Sequence, residues 1–280
     1  MNYKSIKYWK WIFIIKFILI IGSSKTLFSQ RTINIVKELK LEGNYNDIQI
    51  DQHGYIYQIN KDNLIKLDQD GNSLFSYSNK LLGEIDQIDI SNPLRPLLFY
   101  KDQGVIAVLD NTLSLQENTI DLNELGLYQA NCIANSNFDN GIWLYDIDRN
   151  EIIKIDPFSS ITYRSGNLTV LFSELNSPVF QLVEKNKHVY ALTKSLILVF
   201  DQFGSLLKKI PIKTSNGFLL DNENLIGYDG INLVFYESVN FSYDTIPLLN
   251  VKYDYIRGGP GKIIGINNNA PSICFLKIKE

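Results

Sequence analysis

One short pattern recurs along this chain and limits its fold more than any other feature: an apolar, strand-like quartet that ends in aspartate. The copies are Ile65-Lys66-Leu67-Asp68, Ala107-Val108-Leu109-Asp110, Ile153-Lys154-Ile155-Asp156 and Leu198-Val199-Phe200-Asp201, with their aspartates 42, 46 and 45 positions apart. The first and fourth run into nearly the same turn, Asp68-Gln69-Asp70-Gly71 and Asp201-Gln202-Phe203-Gly204, where Asp caps backbone amides and Gly takes positive φ. A second apolar run lies about ten residues before each quartet, at residues 55–59, 97–100, 142–145 and 189–192. Fainter runs at 225–228 and 263–266, paired with 233–236 and 273–278, bring the units to six. Several runs are continuously apolar, as in strands covered on both faces.

Repeats of this length, with four short strands each, are the mark of propeller blades. A β-sandwich pair does not require one Asp-terminated strand at near-constant spacing, and a parallel β-helix has a much shorter period. The expectation is an all-β, six-bladed β-propeller, a single domain over residues 30–280, which is an admissible size for one such unit. Strands are expected at 47–51, 55–60, 63–68 and 73–78 in the first blade. The last unit has only three strands before Glu280, and residues 33–41 are expected to supply the fourth, closing the ring and removing an exposed edge. Residues 122–127 are expected to form a turn of helix between blades. The apolar connection 166–176 is expected to plug the ring or, alternatively, to present a partner surface.

The stretch from Asp47 through Gly54-Tyr55-Ile56-Tyr57 to Leu67-Asp68-Gln69-Asp70-Gly71 resembles an NHL-type or TolB-like six-bladed propeller repeat. The resemblance covers one blade well, the third and fourth in part and the last two faintly. It implies a fold and no particular function, because such rings serve as binding scaffolds and as enzymes.

Residues 1–29 read as an address. Lys4, Lys7 and Lys10 precede the apolar run 11–22, and the small residues Ser23 and Ser24 follow it, the order of a secretory signal peptide. The run is short for a membrane span and is interrupted by Lys16, so cleavage after Ser24 or Ser29 is expected, with an uncleaved anchor as the alternative. The protein is therefore expected to be exported: periplasmic, outer-membrane-associated or secreted, without stable membrane insertion after cleavage. The segment holds five of the 27 basic residues and no acid; without it 22 bases face 30 acids, a net charge of −8. That balance speaks against nucleic acid and against anionic lipid as partners.

Cys132 and Cys274, 142 positions apart, have neither metal-site nor disulfide-framework spacing and read as buried small hydrophobes. His53 and His188 are the only histidines, so zinc sites and histidine acid/base chemistry are poorly served, and no cofactor is expected. Gly258-Gly259-Pro260-Gly261-Lys262 lacks the first Gly and the final Ser/Thr of a phosphate loop and reads as a turn. Asp68, Asp70 and Asn72 lack the Gly and Glu positions of a calcium loop.

A ring of this kind gathers distant loops around one axis. The loops joining second to third strands, and blade to blade, carry Lys61, Asp62, Asp102, Arg149, Lys194 and Asp229, which are the candidate ligand-binding residues; no catalytic or metal-binding residue is singled out. The function expected is that of a non-catalytic protein-interaction or ligand-binding module of the bacterial cell envelope, with a protein or small molecule as partner. The alternative is a propeller hydrolase, lactonase or lyase with a metal or carboxylate site in the central funnel.

Overall fold

The computed structural model describes residues 32–40, 45–116, 119–213, 218–221, 224–248, 253–259, 262–267 and 272–279. The expected signal peptide and its cleavage sites lie outside these residues. Residues Ile33–Lys277 form one compact unit. Among the described residues no helix is long and apolar enough to cross a membrane.

After an initial strand β1 (Thr32–Lys40), five sheets follow, each of four consecutive strands joined as an antiparallel meander. The first contains β2 (Asp47–Ile50), β3 (Ile56–Asn60), β4 (Asn63–Leu67) and β5 (Ser73–Ser78). The second contains β6 (Gln87–Asp89), β7 (Leu97–Tyr100), β8 (Val105–Val108) and β9 (Ile120–Asp121). The third contains β10 (Ala130–Asn135), β11 (Ile142–Asp146), β12 (Glu151–Ile155) and β13 (Ile161–Arg164). The fourth contains β14 (Gln181–Lys185), β15 (His188–Leu192), β16 (Ile197–Asp201) and β17 (Leu206–Ile210). The fifth contains β18 (Phe218–Asp221), β19 (Asn224–Tyr228), β20 (Asn232–Glu237) and β21 (Ser242–Pro247).

The expected count of six blades is corrected here. Blades made of four consecutive strands number five among the described residues. The remaining sheet is a composite of the two chain ends, in the order β1, β24 (Ser272–Lys279), β23 (Lys262–Asn267), β22 (Tyr255–Gly259). The outer edge of β24 is paired with β1 and not with a strand that follows it, so this sheet joins segments from opposite ends of the described residues.

The core is a series of slabs between sheets. Tyr57, Ile59 and Leu64 of the first blade pack on Leu98, Tyr100 and Ala107 of the second. Leu97, Phe99 and Ile106 pack on Ile133, Leu144 and Ile153 of the third, and Trp143 and Tyr145 pack on Val189, Ala191 and Leu198 of the fourth. Ile48, Ile50 and Ile56 meet Ile264 and Ile266 of the composite sheet. Central strands such as β7 and β11 are buried along their whole length because each face meets a different neighbour.

The four Asp-terminated strands end in one and the same turn. In each, Asp Oδ1 accepts from the amides two and four residues on: Asp70 and Asn72, Thr112 and Ser114, Phe158 and Ser160, Phe203 and Ser205. The residue three after the Asp has positive φ, supplied by Gly71 and Gly204 but also by Leu113 (φ 61) and Ser159 (φ 61). A fifth copy joins β2 to β3, where Asp51 caps His53 and Tyr55 and Gly54 has φ 88.

Residues 122–127 form tight turns in which Leu125 and Leu127 donate to the Leu122 carbonyl, and not the expected helix. The described helix is instead α1 (Leu168–Leu171), capped by the Asn167 side chain. It lies in the connection 166–176 and drives Leu168, Phe172 and Leu175 between the third and fourth blades, so this connection wedges two sheets together. Val170 and Leu171 stay exposed. Cys132 and Cys274 are both free and buried.

Candidate binding face

In a four-stranded meander the second-to-third turns and the connections between blades share one end of the sheet, and the other two kinds of turn share the opposite end. Lys61 and Asp62 (first blade), Asp102 (second), Arg149 (third), Lys194 (fourth) and Asp229 (fifth) all stand in second-to-third turns. They therefore belong to one end of the ring, distributed around it blade by blade. Among the described residues no hydrogen bond or ion pair joins any two of them.

Five of the six are tied into local hydrogen bonds. Asp62 accepts from the Ser78 hydroxyl (2.6 Å), which holds its carboxyl below the usual range. Arg149 donates Nη1 to the fully buried carboxylate of Asp146 (2.8 Å) and to the Gly126 carbonyl (3.0 Å), and the Asp146 bond raises its already high pKa. Asp229 closes its own turn by accepting from the Ile231 and Asn232 amides and from the Asn232 side chain. Partial burial pushes the Asp229 carboxyl up, but those bonds outweigh it and the net shift is downward. Lys61 and Lys194 are pinned through their backbone amides, to Asn46 Oδ1 (2.8 Å) and Ser177 Oγ (3.2 Å). Asp102 is exposed beside Asp86, whose carboxyl is raised by burial and further by its acidic neighbours, against the Lys101 amide.

A pinning rule emerges. The segment entering a blade supplies the acceptor that fixes that blade's own second-to-third turn: Asn46 for Lys61, Asp86 for Lys101 (2.7 Å), the Gln129 carbonyl for Ile147 (3.0 Å), Ser177 for Lys194. None of these acceptors was singled out in the sequence, where a lone Asn or Ser before a strand carries no distinctive spacing.

The inner strands hold a second polar set that the sequence reading passed over. Gln49 donates to the Ile88 carbonyl, Gln87 exchanges two bonds with the main chain of Ile133 (2.8 and 2.9 Å), and Asn131 donates to the Val179 carbonyl. Asp89 accepts from the Asn135 amide, and Arg257 pairs with Asp47 at 3.3 Å. Each bond runs from one sheet to the next, so these side chains clasp the ring together around its axis. The signal was present as polar residues alternating with Ile in Asp47-Ile48-Gln49-Ile50 and Gln87-Ile88-Asp89-Ile90.

The structure does gather one surface at the end that carries the six residues. The Ile147 amide bonds to Gln129, Arg149 bonds to Gly126, the Leu168 amide bonds to the Asn150 carbonyl (2.8 Å), and Asn167 Nδ2 bonds to the Arg149 carbonyl (3.0 Å). Three separate loops are thereby tied to one another, and they carry the exposed side chains Tyr128 (65% exposed), Ile147, Val170 (80%) and Leu171. Among the described residues no group of three or more His, Cys, Asp and Glu side chains is placed to hold a metal ion.

Radially arranged four-stranded sheets, packed face to face and closed by β22 lying against both β18 and β2, decide the architecture. The chain is a β-propeller. No protein-family model matches it, and no curated protein matches it. Solved structures do. A Bacteroides thetaiotaomicron protein of unknown function is similar at TM-score 0.63 and 10% identity, over 89% of this chain and 76% of the other. Virginiamycin B lyase from Staphylococcus aureus is similar at 0.61 and 14%, over 89% and 99%. The Pan2 WD40 domain of Neurospora crassa is similar at 0.58 and 10%, over 80% and 73%. At such identities the likeness establishes the propeller fold alone, and it spans a lyase and a WD40 domain.

Proposed function

We propose that this propeller is an exported, non-catalytic binding module of the bacterial cell envelope that takes a protein partner on the end bearing the second-to-third turns. The observation that carries the reading is the set of exposed side chains Tyr128, Ile147, Val170 and Leu171, carried with Arg149 on three loops that hydrogen bonds to main-chain carbonyls tie together. Exposed aromatic and aliphatic side chains on loops that also carry an arginine have the composition of a protein-binding hot spot, and a pre-ordered backbone lowers the entropy lost on binding. Lys61, Asp62, Asp102, Lys194 and Asp229 supply a charged rim on the same end. The order of charged, apolar and small residues in 1–29 supports export. The test is affinity capture from the native envelope with the wild-type ring and with the double variant Val170→Asp, Leu171→Asp. A partner held by the wild type and lost by the variant supports the reading; equal recovery with both overturns it.

A further inference from the structure

The turns joining first to second and third to fourth strands share the end of the ring opposite the candidate binding face, and that end collects exposed phenylalanines. Phe138 lies in the β10–β11 turn, Phe158 (87% exposed) in the β12–β13 turn, Phe203 in the β16–β17 turn and Phe241 (72%) in the β20–β21 turn. Among the described residues no exposed phenylalanine stands in a turn at the other end. The turn geometry does not demand these rings. Two residues after the capping Asp, the first and second blades have Asp70 and Thr112 where the third and fourth have Phe158 and Phe203. Phe138 and Phe203 meet edge to face between two blades, with ring centres 6.1 Å apart.

The charges at this end follow one pattern. Each carboxylate in or beside the four turns is held by the protein: Asp139 by the Lys154 ammonium (2.7 Å) and the Gly141 amide (3.1 Å), Asp156 and Asp201 by amides of their own turns, Glu237 by the Asn240 side chain (2.8 Å). The β14–β15 turn brings the exposed Lys185 and Lys187 to the same end. The tips are thus aromatic, the acids are committed, and two cations are exposed beside them.

We propose that this end docks on a lipid bilayer of zwitterionic headgroups, with the four phenylalanines entering the boundary between headgroups and acyl chains and Lys185 and Lys187 meeting headgroup phosphates. Three features favour a bilayer over a protein as the occupant. Aromatic tips on separate turns of three consecutive blades do not make the contiguous, closely packed centre of a protein hot spot, whereas a fluid interface admits each tip independently. Exposed lysines beside apolar tips match a phosphate layer lying over an acyl layer. A net charge of −8 without residues 1–29 opposes an anionic surface, so the phosphates are those of headgroups without net charge. Docking by this end leaves the second-to-third turns facing away from the bilayer, and it does not depend on the protein partner proposed above.

Residues 30–280 contain the whole compact unit and serve as the test protein, because the apolar run 11–22 would bind lipid by itself. Cosedimentation with phosphatidylcholine vesicles is expected to show association that persists at high salt, since buried apolar rings drive it. Phe158→Ser combined with Phe241→Ser, both outside the core, is expected to weaken it about tenfold or more with the melting temperature unchanged. Lys185→Glu combined with Lys187→Glu is expected to weaken it less, and only at low salt. The double variant Val170→Asp, Leu171→Asp at the opposite end is expected to bind vesicles as the wild type does. Phe158→Trp supplies a direct reporter beside the fully buried Trp143: its emission is expected to move to shorter wavelength on vesicles and to be quenched by brominated acyl chains. Leu81→Trp, exposed at the other end, is expected to show neither. Association that is absent from the wild type, equally strong in the serine variant, or abolished by salt overturns the proposal; the first of these would leave the phenylalanine tips to a protein partner.

Discussion

Asp156 shows how much one side chain does in this fold. Its Oδ1 accepts from Phe158 and Ser160, replacing water on two amides where the chain reverses between β12 and β13. Asp156→Ala removes both bonds, and a loss of about 1–2 kcal/mol is expected in urea denaturation. Ser159 in the same turn sits at φ 61, where its counterparts Gly71 and Gly204 are free of Cβ strain. Ser159→Gly is therefore expected to be neutral or stabilising by up to about 1 kcal/mol in the same assay, against the ordinary cost of glycine. Acid pH tests the turns together. Hydrogen bonds from the Asn72 side chain and amide hold Asp68 below the usual carboxyl range, and those from the Ser114 amide and Thr112 side chain do so for Asp110. Folded values below the unfolded ones mean that this stabilisation is complete above about pH 4 and disappears as pH falls through the folded values. Asp110→Asn is expected to flatten the acid limb of the stability curve; an unchanged limb would show that the turn carboxylates do not govern it. These aspartates were legible in the sequence because a turn needs local chemistry at fixed offsets. Leu113 and Ser159 at positive φ were not, because only the paired strands on either side force that conformation on them.

At the scale of elements, the blades are held to each other by specific polar bonds as well as by apolar slabs. Glu184 on β14 is buried and accepts from Trp143 Nε1 (2.6 Å) and from the Phe138 amide (3.2 Å), both of the third blade. Glu184→Gln turns one accepting oxygen into a donor facing a donor, and a loss of about 1–3 kcal/mol is expected. Trp143 is the only tryptophan after residue 29, so its emission reports the change directly. Gly204 makes the same joint sterically: a Cβ there would lie 2.2 Å from the Tyr163 ring, whose hydroxyl donates to the Gly204 carbonyl (2.7 Å). First-blade strands were legible to within a residue at each end, since their apolar runs are bounded by Asp/Gly turns. The helix α1 was not, because four residues are too few to show a period, and its burial is decided by the gap between two blades.

For the whole molecule, the composite sheet is the joint on which closure depends. A chain starting at Tyr45 lacks β1 and leaves β24 as an open edge, and a melting temperature lower by about 5 °C or more, with concentration-dependent aggregation, is expected relative to residues 30–280. Equal melting of the two chains would mean that β1 adds nothing to the ring. The six charged residues show the division between sequence and structure at this scale. Their common end follows from strand parity alone, so it was readable in advance. What occupies each was not: Arg149 is committed to Asp146 and Gly126, and Asp62 to Ser78, through contacts between segments up to 23 positions apart.

By itself the sequence determined the strands, the Asp turns and the repeat, because each depends on interactions within a few residues and is written in local residue order. Tertiary structure alone decided that Gln49, Gln87 and Asn131 clasp neighbouring sheets, and that the loops carrying Gly126, Arg149 and Asn167 are tied to one another. Those outcomes rest on which main-chain groups and side chains meet across the ring, and a linear order of residues does not state that.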